Sequence, residues 1–258
     1  MPFFIVASDS LRQKLLVKKE SAVKHINTTA TALNKIKSQA KKIKIEQKIT
    51  QAVALEIAAK QAGYDNFHHA SKCATKTLED RKTALLGSLK ITLHKAESIA
   101  EFEVDDEESL ISVTDELDET LDLVLGCTGD LTILDDDELK ILIQTSKALV
   151  NIEPAFLDGY AHWVGALVAR EKQQEAVEIG EPVVNAVFDL IKDIPKSYYL
   201  NYYCLANRPF FRLTQNLVLA LYGVEKNADA KKLAEKMLKV WPNDNVGFRF
   251  LLSPPQDY

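Results

Sequence analysis

The chain has 258 residues, of which 47% are hydrophobic and 27% charged, a composition typical of folded rather than disordered proteins. Nine glycines and eight prolines are few for this length, which favours long helices over a strand-rich fold. No apolar run approaches the ~18 residues of a membrane span. Cys73, Cys127 and Cys204 form no CxxC pair, which argues against a disulfide framework. We therefore expect an all-α, cytoplasmic protein.

The net charge of −5 hides a strong asymmetry along the chain. Residues 1–100 carry 18 Lys or Arg and 8 Asp or Glu, whereas residues 101–258 carry 14 and 29. The acidic excess is densest over residues 101–138, which hold 16 acids and no Lys or Arg. This division predicts a basic helical module, 1–77, and an acidic helical domain, 78–258. Two interpretations of this division are open. Either the module and the domain bind different partners, or the basic helices lie against the acidic ones.

The basic module reads as a series of short helices. A first helix is predicted up to about Ile26, where Asn27-Thr28-Thr29 breaks it and caps a second. Thr50 caps a third helix, which Gly63 ends in the left-handed position after a helix. A short fourth helix follows, to about Cys73.

Lysines recur at helical spacing along the second helix, beside an apolar stripe formed by Leu33, Ile36, Ala40 and Ile43. We call them the lysine stripe: Lys37, Lys41, Lys44 and Lys48. Such a stripe is most often a solvated helix face. The alternative function is a nucleic-acid-binding regulator, in which these lysines bind phosphates and the acidic half controls access.

The acidic domain opens with three predicted helices. Leucine spacing from Leu78 predicts a helix that reaches about Ala100. An acidic helix then begins after Asp105-Asp106 and ends at Gly126 and Gly129. Asp135-Asp136-Asp137 caps the next helix, over about 138–151.

Two stretches of the C-terminal half fit the ~34-residue tetratricopeptide pattern of paired helices. Ala176 and Ala230 fall where a small side chain lets the second helix of a pair approach the first. The turn glycine of the pattern is replaced by Glu171 and Glu225, and an insertion of roughly 193–208 separates the pairs. The pattern predicts tetratricopeptide-like hairpins over about 138–252. Its other matching positions are Tyr160, Leu167, Val183, Leu217, Leu221, Met237 and Pro242.

Two motifs add a more specific resemblance. Asn207-Arg208-Pro209-Phe210-Phe211-Arg212 precedes the last pair, and Trp241-Pro242-Asn243-Asp244-Asn245-Val246-Gly247-Phe248-Arg249 follows it. Asn207 lies where it caps the helix that follows, with Pro209 in the first turn. Together they resemble a recurrent ending of bacterial tetratricopeptide-repeat-like proteins, N-R-P-F-L-R and then N-P-N-D-N-x-G-x-R. The resemblance covers roughly 154–252 and implies a helical-repeat scaffold without an assigned activity.

Aromatic residues crowd into the insertion and the start of the last pair. Because Tyr and Arg are enriched at interface hot spots, this stretch is the predicted surface for a protein partner. A lid that seals the end of the helical array is the alternative. The predicted partner-binding residues are Tyr198, Tyr202, Tyr203, Phe210, Arg212 and Arg249.

No motif predicts catalysis. His68 and His69 are adjacent and diverge by about 100° on a helix, so they do not chelate one metal. GxGxxG, P-loop and EF-hand patterns are lacking from the sequence. We expect a non-enzymatic protein–protein interaction scaffold with no cofactor and no metal. The alternatives are the nucleic-acid-binding regulator and an acidic nucleic-acid mimic formed by residues 101–138, and the oligomeric state stays open.

Overall fold

The computed structural model describes residues 25–125 and 131–255, and most of these residues are helical. Contacts divide the chain into two compact units, with the boundary between Thr77 and Leu78. The predicted first helix and the glycines at 126 and 129 lie outside the described residues. Within the described ranges, no helix has the length and apolarity needed to cross a bilayer.

The N-terminal unit contains α1 (Ala30–Gln47), α2 (Gln51–Gln61) and the first part of α3 (Phe67–Ser88). Both predicted threonine caps are confirmed. Thr29 Oγ1 accepts a hydrogen bond from the N–H of Ala32 at 3.1 Å, and Thr50 Oγ1 accepts one from Val53 at 3.4 Å. Gly63 follows α2 with a φ of +89°, the left-handed conformation that favours glycine.

Buried hydroxyls fix the segment before α1 to α3. Thr28 Oγ1 lies 2.8 Å from the hydroxyl of Tyr64, and the Thr28 N–H donates to Thr77 Oγ1 at 3.0 Å. His69 is buried beneath them, with its ring edge-on to Tyr64. The unit therefore has a small apolar core that is closed by a polar network.

The helix predicted from Leu78 to about Ala100 is wrong, because residues after Ser88 form a β-hairpin. One helix, α3, runs past the predicted end at Cys73 and stops at Ser88. The hairpin strands are β1 (Leu89–His94) and β2 (Ile99–Val104), paired antiparallel with Leu89 opposite Val104. Burial alternates along them as in a half-buried hairpin: Ala100 and Phe102 are buried, whereas Glu103 is exposed.

A third short strand, β3 (Tyr199–Leu200), lies in the insertion and pairs parallel with β2. The sheet order is β1-β2-β3. The fold is thus mostly helical with one small sheet, and the sheet ties the insertion to the hairpin.

Within the described residues of the C-terminal unit, six further α-helices follow the hairpin. The acidic helix begins after Asp106, whose carboxylate accepts from the Ser109 N–H at 3.0 Å. The next helix has the predicted cap: Asp135 Oδ1 accepts from the N–H of Glu138 at 2.9 Å, and Glu138 Oε2 accepts from Asp135. The helices are α4 (Glu107–Leu125), α5 (Asp136–Ile152), α6 (Leu157–Ala169), α7 (Gln173–Ile191), α8 (Arg208–Gly223) and α9 (Asn227–Val240).

The turns α6–α7 and α8–α9 share one backbone geometry. Glu171 and Glu225 take positive φ values of 55° and 62°, where the tetratricopeptide pattern has glycine. Each turn closes with the same hydrogen bond over five residues: Lys172 N–H to Leu167 C=O at 2.8 Å, and Lys226 N–H to Leu221 C=O at 2.9 Å. The hairpin sheet packs on these helices through aromatic rings, with Phe210 edge-on to Phe102 and Phe188.

Candidate functional site

A cleft of about 500 Å³ opens in the C-terminal unit, within the ~300–1,000 Å³ typical of ligand clefts. Three parts of the chain that are distant in sequence form it: the β-hairpin with the start of α4, residues 155–158 around the start of α6, and the turn Leu205–Asn207 with Pro209. Its lining is partly apolar, with Phe102 and Leu157, and partly acidic. The acidic lining residues are Glu103, Asp105, Glu107 and Asp158.

Asn207 holds the insertion against the cleft. Its side chain is fully buried; Oδ1 accepts from the Phe102 N–H, and Nδ2 donates to the Ala100 carbonyl, each at 3.0 Å. Nδ2 also donates to the carbonyl of Asn201 at 2.9 Å. The prediction that Asn207 caps α8 is wrong, because its side chain makes no cap hydrogen bond there. These bonds instead position Leu205 beside the cleft.

Arg212, a predicted partner-binding residue, contacts a lining residue of the cleft. Its Nη2 donates to Asp158 Oδ1 at 2.6 Å. His162 Nε2 lies 3.6 Å from the same oxygen. Burial lowers the pKa of His162. The negative charge of Asp158 raises this pKa, and the positive charge of Arg212 lowers it. Arg212 therefore neutralises part of the acidic lining.

The tyrosines of the insertion surround Trp241, which follows α9. Tyr203 is 59% exposed; its ring meets that of Trp241 at 6.1 Å, and its hydroxyl accepts from Asn245 Nδ2 at 2.8 Å. Tyr199 lies 5.5 Å from Trp241. Tyr202 is half-buried, with the Arg208 guanidinium 5.5 Å from its ring centre. The cluster thus joins the insertion to the end of the chain and leaves Tyr203 and Tyr199 facing solvent.

The other predicted partner-binding residues lie elsewhere. Phe210 is 0% exposed, so it forms core and not contact surface. Tyr198 is half-buried and packs against that core. Arg249 binds the C-terminal turn: its Nε donates to Asp244 Oδ2 at 2.8 Å, and its Nη2 donates to the carbonyl of Asn243 at 3.1 Å.

Sequence reasoning missed the residues that make the cleft. Leu205, 71% exposed at its edge, carried no signal as a single leucine in the insertion. Glu103 and Glu107 entered only as members of the acidic run over residues 101–138, and no pattern in the sequence singled out Asp158. The cleft exists because the fold brings these separate segments together.

Lys37, Lys41 and Lys44 of the lysine stripe lie on α1, as their spacing predicts, whereas Lys48 follows the helix with a φ of +53°. All four side chains are exposed, whereas Ile36, Ala40 and Ile43 on the same helix are buried. For the four lysines, the structure records no ion pair within the ranges it describes. They form a cationic surface in the N-terminal unit.

The chemistry available at the cleft is apolar burial and the binding of cations by carboxylates. Within the described part of the chain, no three His, Cys, Asp or Glu side chains are grouped to hold a metal ion. Burial raises the pKa of the Cys204 thiol, and the negative charges of Glu101 and Glu97 raise it further. A protonated thiol is a poor nucleophile, so Cys204 adds no reactive group.

Comparison with known proteins gives no match: no family model, no curated protein and no solved structure is similar to this chain. The resemblance to bacterial tetratricopeptide-repeat-like proteins therefore stays an inference from the two motifs that flank the last helix pair. The case for a function depends on the contacts and charges of this chain.

Proposed function

We propose that the chain is a non-enzymatic protein–protein interaction scaffold, built on tetratricopeptide-like helical hairpins, that binds a partner at the cleft. The observation that carries this proposal is the cleft itself, with Leu205 exposed at its edge. Exposed apolar surface beside a concave, partly apolar site is characteristic of interaction sites. Tyr203, two residues before Leu205 in the chain, is also exposed and has a side chain that suits interface contacts.

The paired turns support the scaffold part of the proposal. Glu171 and Glu225 take the same left-handed conformation, and both turns close with the same hydrogen bonds. Ala176 and Ala230, the small residues of the pattern, are both 0% exposed. A small side chain at these points lets α7 approach α6 and α9 approach α8. Such pairs present a rigid surface, which limits the ordering cost of binding.

The hydrogen bonds that hold the exposed residues in place support the second claim of the proposal, that a partner binds at the cleft. The three hydrogen bonds of Asn207 fix the turn that carries Leu205. The contact of Tyr203 with Trp241, together with its hydrogen bond to Asn245, restrains the exposed ring. Anchors that are ordered before binding lose little conformational entropy when a partner arrives.

Affinity capture tests this proposal, with the tagged full chain as bait in an extract of the source organism. The bait variant carries Tyr203→Glu and Leu205→Glu, which place charge on the apolar surface. Leu123→Glu is the matched control, because Leu123 is also an exposed leucine, 76% accessible, near the other end of α4. Quantitative mass spectrometry compares the proteins retained by the three baits.

The proposal expects at least one protein that the wild-type and Leu123→Glu baits retain and the double variant loses. Equal retention of every captured protein by all three baits contradicts it. Circular dichroism of each bait shows whether a loss reflects the surface or the fold.

A second candidate function, nucleic-acid binding, is favoured by one observation in the N-terminal unit. The four lysines of the stripe are all exposed, and three of them lie along α1. Regularly spaced lysines suit contacts with phosphates, which give binding without sequence preference. The two functions occupy different units, so each has its own test.

A further inference from the structure

The carboxylates at the cleft indicate the charge of its partner. Among the described residues that line the cleft, four are acidic and none is Lys or Arg. Two of the four have a cation beside them: Lys90 pairs with Asp105, and Arg212 pairs with Asp158. Glu103 and Glu107 are exposed at the cleft, and the structure records no ion pair for them within the ranges it describes. One carboxylate oxygen of Glu103 accepts a hydrogen bond from the hydroxyl of Thr92 on β1, and its charge has no cationic partner among the described residues.

Glu107 stands in the first turn of α4, where the helix dipole favours negative charge. Further along the same helix, exposed acids continue the negative surface, among them Asp115, Glu116, Asp118, Glu119 and Asp122. Since residues 96–139 contain no Lys or Arg, this surface attracts a cationic partner and repels an anionic one.

Leu205, 71% exposed, lines the same cleft as Glu103 and Glu107. The exposed apolar surface of the cleft therefore has carboxylates beside it. A purely apolar partner gains nothing from these carboxylates and removes some of them from water, which costs free energy.

We propose that the cleft binds a basic segment of a partner protein, in which a bulky apolar side chain is flanked by Lys or Arg. This inference rests on the proposed function and names its partner class. The apolar side chain fills the cleft between Phe102, Leu157 and Leu205. The flanking cations approach Glu103 and Glu107, and the ring of Tyr203 offers a further contact for a guanidinium.

Peptide display on the full chain tests this directly. A library of random 12-residue peptides is selected against the immobilised protein, and the enriched peptides are synthesised for measurement of Kd. The test variant carries Glu103→Lys and Glu107→Lys. The matched control reverses two exposed acids that do not line the cleft, Asp193→Lys and Glu225→Lys.

The inference expects enriched peptides in which Leu, Phe, Met or Trp stands beside Lys or Arg. Their Kd rises about tenfold or more in the test variant and by less than about twofold in the control. The neutral pair Glu103→Gln and Glu107→Gln is expected to weaken binding to a smaller extent without adding repulsion.

Three results overturn the inference: enriched peptides that are neutral or acidic, basic peptides that bind the test variant as tightly as the wild type, or no enrichment. If affinity capture still finds a protein that depends on Tyr203 and Leu205, the proposed function stands and only the partner class is wrong. If neither experiment finds dependence on the cleft, both fail.

Discussion

The side-chain amide of Asn207 hydrogen-bonds to the backbone of Phe102, which joins the segment before α8 to β2 much as a neighbouring strand would. The Nδ2 atom of the same side chain donates a hydrogen bond to the carbonyl of Ala100, also on β2. One side chain therefore satisfies a backbone donor and a backbone acceptor of β2. Asn207 therefore joins the insertion to the β-hairpin beside the cleft.

Replacement of Asn207 by alanine is expected to destabilise the protein. Asn207→Ala leaves the N–H of Phe102 and the carbonyl of Ala100 without their partner in a buried site, which lowers the free energy of unfolding by about 2–4 kcal/mol. Urea unfolding measures the change. Asn243→Ala, at an exposed asparagine, is the control and is expected to stay within about 0.5 kcal/mol of wild type. A loss at position 207 no larger than in the control would contradict the assigned role.

Replacement of either turn glutamate, Glu171 or Glu225, by glycine is expected to stabilise the protein. Glu171→Gly and Glu225→Gly each replace a side chain that is strained at positive φ, so each raises the free energy of unfolding by about 0.5–1 kcal/mol. The sites are far apart in sequence and in different turns, so the double variant is expected to show the sum. Chemical denaturation checks both values. Destabilisation by either glycine would show that the left-handed conformation at that turn is misassigned.

The hydrogen bonds to the Asp244 carboxylate predict that the folded protein loses stability in acid. Burial alone would raise the pKa of this carboxyl, but hydrogen bonds from the backbone and guanidinium of Arg249 and from the N–H groups of Phe248 and Gly247 hold it below the usual 3.8. A carboxyl with a lowered pKa stabilises the folded state above the unfolded value. That stability is lost as the pH falls below 3.8 and through the folded pKa.

Asp244→Asn is therefore expected to lower the free energy of unfolding by about 1.5–3 kcal/mol near pH 7. The difference from wild type shrinks in more acidic buffer, because the wild-type carboxyl becomes protonated there. Urea unfolding over a series of pH values measures it. A difference that stays constant down to the acid end of the series would rule out this carboxylate as the source.

The lysine stripe makes a separate prediction. If the second candidate function holds, the full chain binds duplex DNA with a Kd that rises steeply between about 50 and 200 mM salt, because bound lysines release counterions. Lys37→Glu, Lys41→Glu and Lys44→Glu together abolish binding. The control variant carries three substitutions of the same kind in the C-terminal unit: Lys192→Glu, Lys231→Glu and Lys232→Glu. Absence of DNA and RNA binding by the wild type at low salt would exclude this function.

Local signals in the sequence predicted much of the helical structure. Thr29, Thr50 and Asp135 were recognised as caps because a short polar side chain before an apolar period has few other roles. The β-hairpin was missed because Leu85, Leu89 and Leu93 fit a helical period, while residues 89–104 also alternate as strands do. Packing of Phe102 against Phe210 favours the strand, and that contact joins residues far apart in sequence.

The cleft was beyond prediction for a related reason. Asn207 was assigned to a local cap, its commonest role, whereas its bonds reach a strand far along the chain. Phe210 was assigned to a surface because aromatic residues serve both cores and interfaces, and its sequence neighbours do not distinguish them. Tyr203 was predicted as a partner-binding residue only because it is an aromatic of the insertion; its exposure became evident from the fold.

Site-specific photocrosslinking tests the central claim, partner binding at the cleft, most directly. A photoreactive benzoylphenylalanine replaces Leu205 in the full chain, and Leu123 in a control, and each protein is irradiated in an extract of the source organism. The account predicts a discrete crosslinked adduct from position 205 that is weak or missing from position 123. Identical adducts from both positions, or none from position 205, would contradict it.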